Sequence, residues 1–291
     1  MINSITIIGA GRVGTSLASY GMTELRNDGG TELRIYGGTE LRNDGVTELR
    51  NDASVARLNS VVVSARTFCA DPESIAIPKS DVIVLATKDS VLAEVITKLA
   101  KYHSEVLHGT LVLHVNGSLG TDVLEPLRLH RALIAAAHPF QTFDKADQAL
   151  LHGIGWGVLC DDASWPLTEE FIRRVGGFPF RLPKTDAISK RRYHASAVAA
   201  SNFTYAAYDL ARRLAEDVGL PVEEFLGPIM RQTLGNALEA MKSNAPFPIT
   251  GPLVRADEDA VQRQLDAMPM QLKDQYVHLT EALRKTLTSD E

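Results

Sequence analysis

The run Gly9-Ala10-Gly11-Arg12-Val13-Gly14 follows directly on Ser4–Ile8, a short and mostly apolar run. Glycines at this spacing, after a first strand and at the start of a helix, can hold a pyrophosphate. The first allows the tight turn, the second lets backbone approach the phosphates and the third lets the helix pack closely. The N–H groups of the helix start then face the negative charge. Gly9, Gly11, Arg12, Val13 and Gly14 are therefore the expected dinucleotide loop, a chance triplet in a surface loop being the alternative. Exchange of a hydride between a nicotinamide and a carbinol or amine carbon leaves a proton to be moved, which calls for a group that titrates near neutrality. His138, which ends an apolar strand and is braced by Pro139, is the first candidate, and His114 is the second. His194 and Asn202 are candidates to hold substrate from a later helix. Each histidine could instead be structural, bonded to a neighbouring loop.

These residues need a scaffold. Val82–Ala86, Leu111–Val115 and Ala132–Ala137 are short apolar runs suited to strands buried on both faces, and Val91–Ala100 is suited to the helix between the first two. Polar residues follow each run: Thr87-Lys88-Asp89, Asn116-Gly117-Ser118 and His138 to Thr142. In an open parallel sheet, ligands sit outside the carboxyl ends of the strands, so Thr87, Lys88 and Asn116 join the expected cofactor residues. The second strand has two registers. It is either Leu33–Tyr36 or Val61–Val63, and the second register puts Ser64 and Arg66 against the adenosine ribose. A serine and an arginine there, without a carboxylate, suit a 2′-phosphate and hence NADP, with NAD possible. In the other register Arg66 is a solvated rim residue.

Between these elements lies an oddity. Thr-Glu-Leu-Arg recurs at residues 23, 31, 39 and 47. An octapeptide advances a helix by about 80° beyond two turns, so one leucine per unit makes no straight apolar stripe, and the units are too polar to stack a solenoid. The tract, at about 23–52, reads as an exposed insertion.

A chain of 291 residues with 45% apolar content can bury a full core and form about two domains. Its apolar runs are too short to span a bilayer, and the N-terminal residues lack a signal-peptide pattern, so a cytoplasmic protein without a membrane partner is expected. A net charge of −6 with no basic tract argues against nucleic acid as the partner. Cys69 and Cys160 suggest free thiols, and no metal-ligand set is read.

From about residue 185 the pattern turns helical. Asp186 can cap a helix that runs to about Val218, where Gly219 and Pro221 stop it. The small residues at Ala195–Ala200 suggest a helix buried on most sides, and a 3.6-residue count puts His194, Ser201, Asn202 and Tyr205 on one face. Further helices are expected at roughly 222–241, 256–267 and 270–287.

The chain resembles predicted NAD(P)-dependent oxidoreductases that join a Rossmann-like domain to a helical C-terminal domain of unknown function. The resemblance rests on residues 9–14, His114-Val115-Asn116-Gly117, His138 to Phe143, Tyr193-His194-Ala195 with Ser201-Asn202, and Thr250-Gly251-Pro252 with Arg255 and Asp257. Asn116 stands where a serine is usual, and Ala256 where a glycine is usual. More distantly it is similar to prephenate dehydrogenase, pyrroline-carboxylate reductase and the hydroxyacid dehydrogenases. The resemblance implies an α/β fold with a doubly wound, mostly parallel sheet at 1–184 and an all-α domain at 185–291. It also implies a homodimer through the helical domain and a small-molecule substrate that is not identified. A protein that binds NADP(H) as a sensor without turnover is the alternative, and an adenosylmethionine-dependent methyltransferase is a weaker one.

Overall fold

Strands whose residues are apolar without alternation must be covered on both faces. In the computed structural model, described over residues 2–22, 35–36, 59–183 and 186–288, this holds for β4 and β5 below. The strands are β1 (Ser4–Ile8), β2 (Ile35–Tyr36), β3 (Asn59–Val63), β4 (Val82–Leu85), β5 (Leu111–His114), β6 (Leu133–Pro139), β7 (Gly155–Cys160) and β8 (Phe178–Arg181). They form one sheet in the order β2-β3-β1-β4-β5-β6-β7-β8. All neighbours are parallel except β6 and β7.

Adjacent residues of one strand serve opposite cores. Val82 and Val84 join Leu17, Trp156 and Phe171 on one face, where α1 (Arg12–Met22) and α5 (Trp165–Arg174) pack. Ile83 and Leu85 join Phe68, Leu92, Val95 and Leu99 on the other, under α2 (Ala65–Ala70) and α3 (Asp89–Tyr102). A short helix, α4 (Glu125–Arg128), adds Leu127 to that second face. The sheet is therefore doubly wound, as the sequence implied.

Chain order reverses at β1, whose neighbours are β3 on one side and β4 on the other. Ligands of open α/β sheets sit at such a switch point. Val61–Val63 lies beside β1, the place that the second register gave it, and Ser64 follows next to the glycine turn. Ile35–Tyr36 is also a strand, but at the sheet edge beyond β3. The remainder of the repeat tract lies outside the described residues. The antiparallel β7, with α5 and β8, was not foreseen.

The chain divides into two compact units, Met1–Ala197 and Val198–Glu291. The first includes α6 (Ala187–Val198) nearly to its end, whereas the sequence suggested a boundary at 184/185. Asp186 caps α6 by accepting from the Ser189 N–H at 2.8 Å. Two sequence expectations fail on this helix. Ala195, Ser196, Ala199 and Ala200 are exposed, because small residues satisfy a helix without needing burial. Ala199–Phe203 is a π-helical turn, so a 3.6-residue count from His194 to Asn202 does not hold. The second unit continues with α7 (Thr204–Asp217), α8 (Val222–Ser243), α9 (Glu258–Asp266) and α10 (Met270–Thr288), close to the helices expected.

Two of the glycines position α1. Gly9 has φ +121°, and a Cβ on it would lie 2.3 Å from the Ala86 carbonyl oxygen. A Cβ on Gly14 would lie 2.0 Å from the Gly9 carbonyl oxygen, a contact that only backbone movement could relieve. Gly14→Ala should therefore cost at least about 1–3 kcal/mol of stability. At Gly155, where a Cβ meets nothing within 4 Å, the same change should stay within about 0.5 kcal/mol. Denaturant midpoints of the two variants check this, and equal midpoints would refute the close-packing role.

Candidate functional site

The carboxyl ends of β1, β3, β4, β5 and β6 carry the polar residues singled out in the sequence. At β1, α1 starts at Arg12, so the first-turn N–H groups of Arg12, Val13 and Gly14 are free of the helix ladder. Gly11 differs from its two companions. A Cβ there would meet only the Ala86 oxygen, at 3.9 Å. The Arg12 guanidinium donates to the Phe143 carbonyl at 2.9 Å and so holds the loop after β6 beside α1. At the end of β3, Ser64 caps α2, its Oγ accepting from the Thr67 N–H and hydroxyl. Arg66 is exposed and has no ion pair among the described residues.

The β4 and β5 loops are tied together. Asn116 Nδ2 donates to the Thr87 carbonyl at 3.0 Å and to Asp89 Oδ1 at 2.5 Å, and Ser118 donates to Asp89 Oδ2 at 3.0 Å. Thr87 Oγ1 and Asn116 Oδ1 remain buried with no hydrogen-bond partner among the described residues. Buried polar atoms of this kind are rare in folded proteins. Lys88 is exposed at the N-terminus of α3.

His114 is fully buried and engaged at both ring nitrogens. Nε2 pairs with the Gly120 carbonyl at 2.8 Å, and Nδ1 accepts from the Asn116 N–H at 3.2 Å. This pair of bonds requires the neutral Nε2–H tautomer. Burial agrees, pushing its pKa down to about 4. His114 thus braces residues 114–120.

His138 sits near the end of β6 with Nδ1 3.4 Å from the Tyr193 hydroxyl. Burial, then the positive charge of Lys190 and the nearby His194 and His114, lower its pKa to about 3. The Tyr193 hydroxyl receives the Gly157 N–H and donates to the His138 carbonyl, both at 3.1 Å. His194 stands edge-on to His138, with ring centroids 5.4 Å apart. Its Nδ1 is buried without a hydrogen-bond partner among the described residues.

The helix α6 delivers these groups through two glycine notches. A Cβ on Gly117 would lie 2.1 Å from His194 Nδ1, and one on Gly157 would lie 2.4 Å from the Tyr193 ring. Lys190, one turn before His194, was missed in the sequence. It is 0% exposed, and burial lowers its pKa to about 8. Its spacing of three and four residues from Tyr193 and His194 was the available signal. His114, Asn116, His138 and His194 thus belong to one unit, as do the glycine loop, Ser64, Arg66, Thr87 and Lys88. Asn202 is exposed in the other unit and accepts from the Ser201 hydroxyl at 3.2 Å. Among the described residues no group of three or more His, Cys, Asp or Glu could hold a metal, and no helix is long and apolar enough to cross a membrane.

The chain matches the family model of a Rossmann-like domain over residues 51–139 and that of a domain of unknown function (DUF2520) over residues 154–283. This is the pairing that the sequence motifs implied. The second match begins at β7, inside the first compact unit. A Bacteroides fragilis protein assigned as an NADP oxidoreductase has the same fold, with 20% identity, a TM-score of 0.63 and 98% of each chain covered. An imine reductase from Myxococcus stipitatus in complex with NADP+ is 14% identical with a TM-score of 0.56, covering 97% of this chain and 92% of its own. Pyrroline carboxylate reductase from Plasmodium falciparum with NADP bound is 13% identical with a TM-score of 0.54, covering 97% and 99%. At these identities the likeness is one of fold. No curated protein matches the chain.

Both buried imidazoles make stability depend on pH. Their folded-state values, about 4 for His114 and about 3 for His138, lie below the ordinary 6.5, so the unfolded chain takes up protons first as pH falls. Their contribution is complete above about pH 6.5 and is lost as pH falls through 4 and 3. Melting temperature should therefore decline below pH 6.5. His114→Gln, which keeps a donor for Gly120, should show a shallower decline, and an unchanged acid limb would refute the assignment.

Proposed function

We propose that the chain is an NAD(P)-dependent oxidoreductase that moves a hydride between a nicotinamide and a small polar metabolite, with NADP preferred. The observation that carries this reading is the contrast within the glycine turn. Gly9 and Gly14 have no room for a side chain, whereas Gly11 has room, so the bare backbone at Gly11 serves a ligand and not the fold. The NADP-bound imine and pyrroline carboxylate reductases of similar fold support it.

The residues present fit the cofactor. The turn and the first-turn N–H groups of α1 would hold the pyrophosphate. Ser64 and Arg66, which has no ion pair among the described residues, would hold a 2′-phosphate, and Thr87, Lys88 and Asn116 would line the nicotinamide end. When bound, the nicotinamide supplies hydride exchange with a substrate carbon. His138 handles the proton: its ring is neutral, so Nε2 accepts the proton released when a carbinol or amine is oxidised and returns it in reduction. Tyr193 orients that ring, and His114 positions Asn116. The unpaired Nδ1 of His194 and Oδ1 of Asn116 offer substrate contacts. A pure cofactor sensor has no use for such groups. Exposed Phe225, Ile229, Leu238 and Met241 on α8 support a homodimer through the helical unit.

Fluorescence titration with NADPH and NADH tests the cofactor. Gly11→Val should abolish binding of both while the protein stays folded. Arg66→Ala removes a charge-assisted phosphate contact worth about 1.5–3 kcal/mol, so NADPH should weaken roughly tenfold or more with NADH little changed. Equal effects on both cofactors would remove Arg66 from the phosphate site, and undiminished binding by Gly11→Val would refute the dinucleotide reading.

For the acid/base role, a screen of hydroxy acids, keto acids and imines first identifies a substrate by change in cofactor absorbance. His138→Asn should then lower turnover by about a hundredfold or more while NADPH affinity holds. Turnover within a few-fold of the wild type would exclude His138 as the proton carrier.

A further inference from the structure

Lys190 combines full burial with an unanswered charge. It is 0% exposed, and its ammonium has neither hydrogen bond nor ion pair among the described residues. The ring of Tyr193 lies beneath it, 5.0 Å from Nζ to centroid. Asp89 and Asp122 act on His114, but burial alone moves the pKa of Lys190, with no carboxylate among its causes; Asp89 is held by Asn116 and Ser118, and Asp186 by Ser189. The other titratable neighbours, His138, His194 and His114, supply no negative charge. A buried ammonium without a partner is costly, and apolar residues in its place usually stabilise a fold. A chain that keeps such a group has a use for its charge.

Resting on the oxidoreductase reading above, we propose that Lys190 anchors an anionic group of the substrate, and that the substrate is a small carboxylate. One buried ammonium beside the neutral rings of His114 and His138 matches a single negative charge. A phosphate, with about two charges and three acceptor oxygens, is served best by several donors, such as an arginine fork, and among the described residues a single ammonium is the only standing positive charge in this corner. His194 Nδ1, one turn further along α6 and unpaired among the described residues, offers the carboxylate a second contact. The anchor also completes the chemistry of His138. Lys190 is the foremost charge opposing protonation of that ring, so a bound carboxylate offsets it and lets His138 hold a proton. Substrate binding and acid/base competence are then coupled.

The test uses the full chain saturated with NADP+, with acetate, pyruvate and malonate as probes against acetamide and pyruvamide, at matched ionic strength in chloride. The carboxylates should raise the melting temperature of the wild type and of Lys190→Arg but not of Lys190→Met, and the amides should raise none. By calorimetry the best carboxylate should weaken about tenfold or more in Lys190→Met and less than about threefold in Lys190→Arg. Without ligand, Lys190→Met should melt above the wild type, since an unpaired buried charge is gone. Failure of every carboxylate to stabilise the wild type, equal stabilisation of Lys190→Met, or a lower melting temperature for unliganded Lys190→Met would overturn the proposal. NADPH titration of the same proteins without NADP+ separates the two readings. Cofactor binding without carboxylate binding defeats the anchor alone, and absence of cofactor binding defeats the oxidoreductase reading.

Discussion

Three segments of backbone meet without side chains between them where β1 turns into α1. Gly9 and Gly14 come so close to each other and to Ala86 that any Cβ would overlap a carbonyl. That contact sets the distance of α1 from the sheet and brings the end of β4 against the end of β1. The Gly9 N–H completes it by donating to the Val63 carbonyl at 2.8 Å, which draws in the end of β3. Three strand ends and one helix start are thereby brought to one mouth. Everything proposed about phosphate and ribose depends on this convergence.

A second use of the same device delivers the chemistry. Gly117 after β5 and Gly157 on β7 are notches that receive His194 and Tyr193 from α6. The side chains of one helix thus reach the two strand ends that flank His138. The polar groups gathered there divide into two kinds. His114, Asp89 and Ser118 are engaged with other protein groups and hold loops in place, whereas His194 Nδ1, Asn116 Oδ1, Thr87 Oγ1 and the Lys190 ammonium are not. A folded protein tolerates buried polar groups of the second kind where a ligand can satisfy them.

Electrostatics gives this corner its character. Four groups that can carry positive charge, His114, His138, His194 and Lys190, lie together, and among the described residues none of them is ion-paired to a carboxylate. Burial keeps His114 and His138 neutral and leaves Lys190 as the standing charge, its pKa still about 8. In a region of low dielectric that charge acts strongly on its neighbours, and its first effect falls on His138. The affinity of the site for protons and its affinity for anions are therefore two aspects of one field.

Much of this was legible in the residues themselves. The glycine spacing, the apolar runs of β4, β5 and β6 and the polar residues after each depend only on local periodicity and on which side chains a turn admits, so the sequence by itself determined a doubly wound sheet with its polar loops at the carboxyl ends. The helices at 222–241 and 270–287 were readable for the same reason. Only the tertiary structure decided which strand stands beside β1, because Ile35-Tyr36 and Val61–Val63 are both acceptable strands and pairing is a long-range choice. It also decided that His114 is braced at both nitrogens while His138 is not, since a histidine's role depends on neighbours distant in sequence. The π turn at Ala199–Phe203 altered a helical count that no propensity would disturb. Lys190 escaped notice because a lysine reads as a surface residue until packing buries it, and burial is a property of the whole fold.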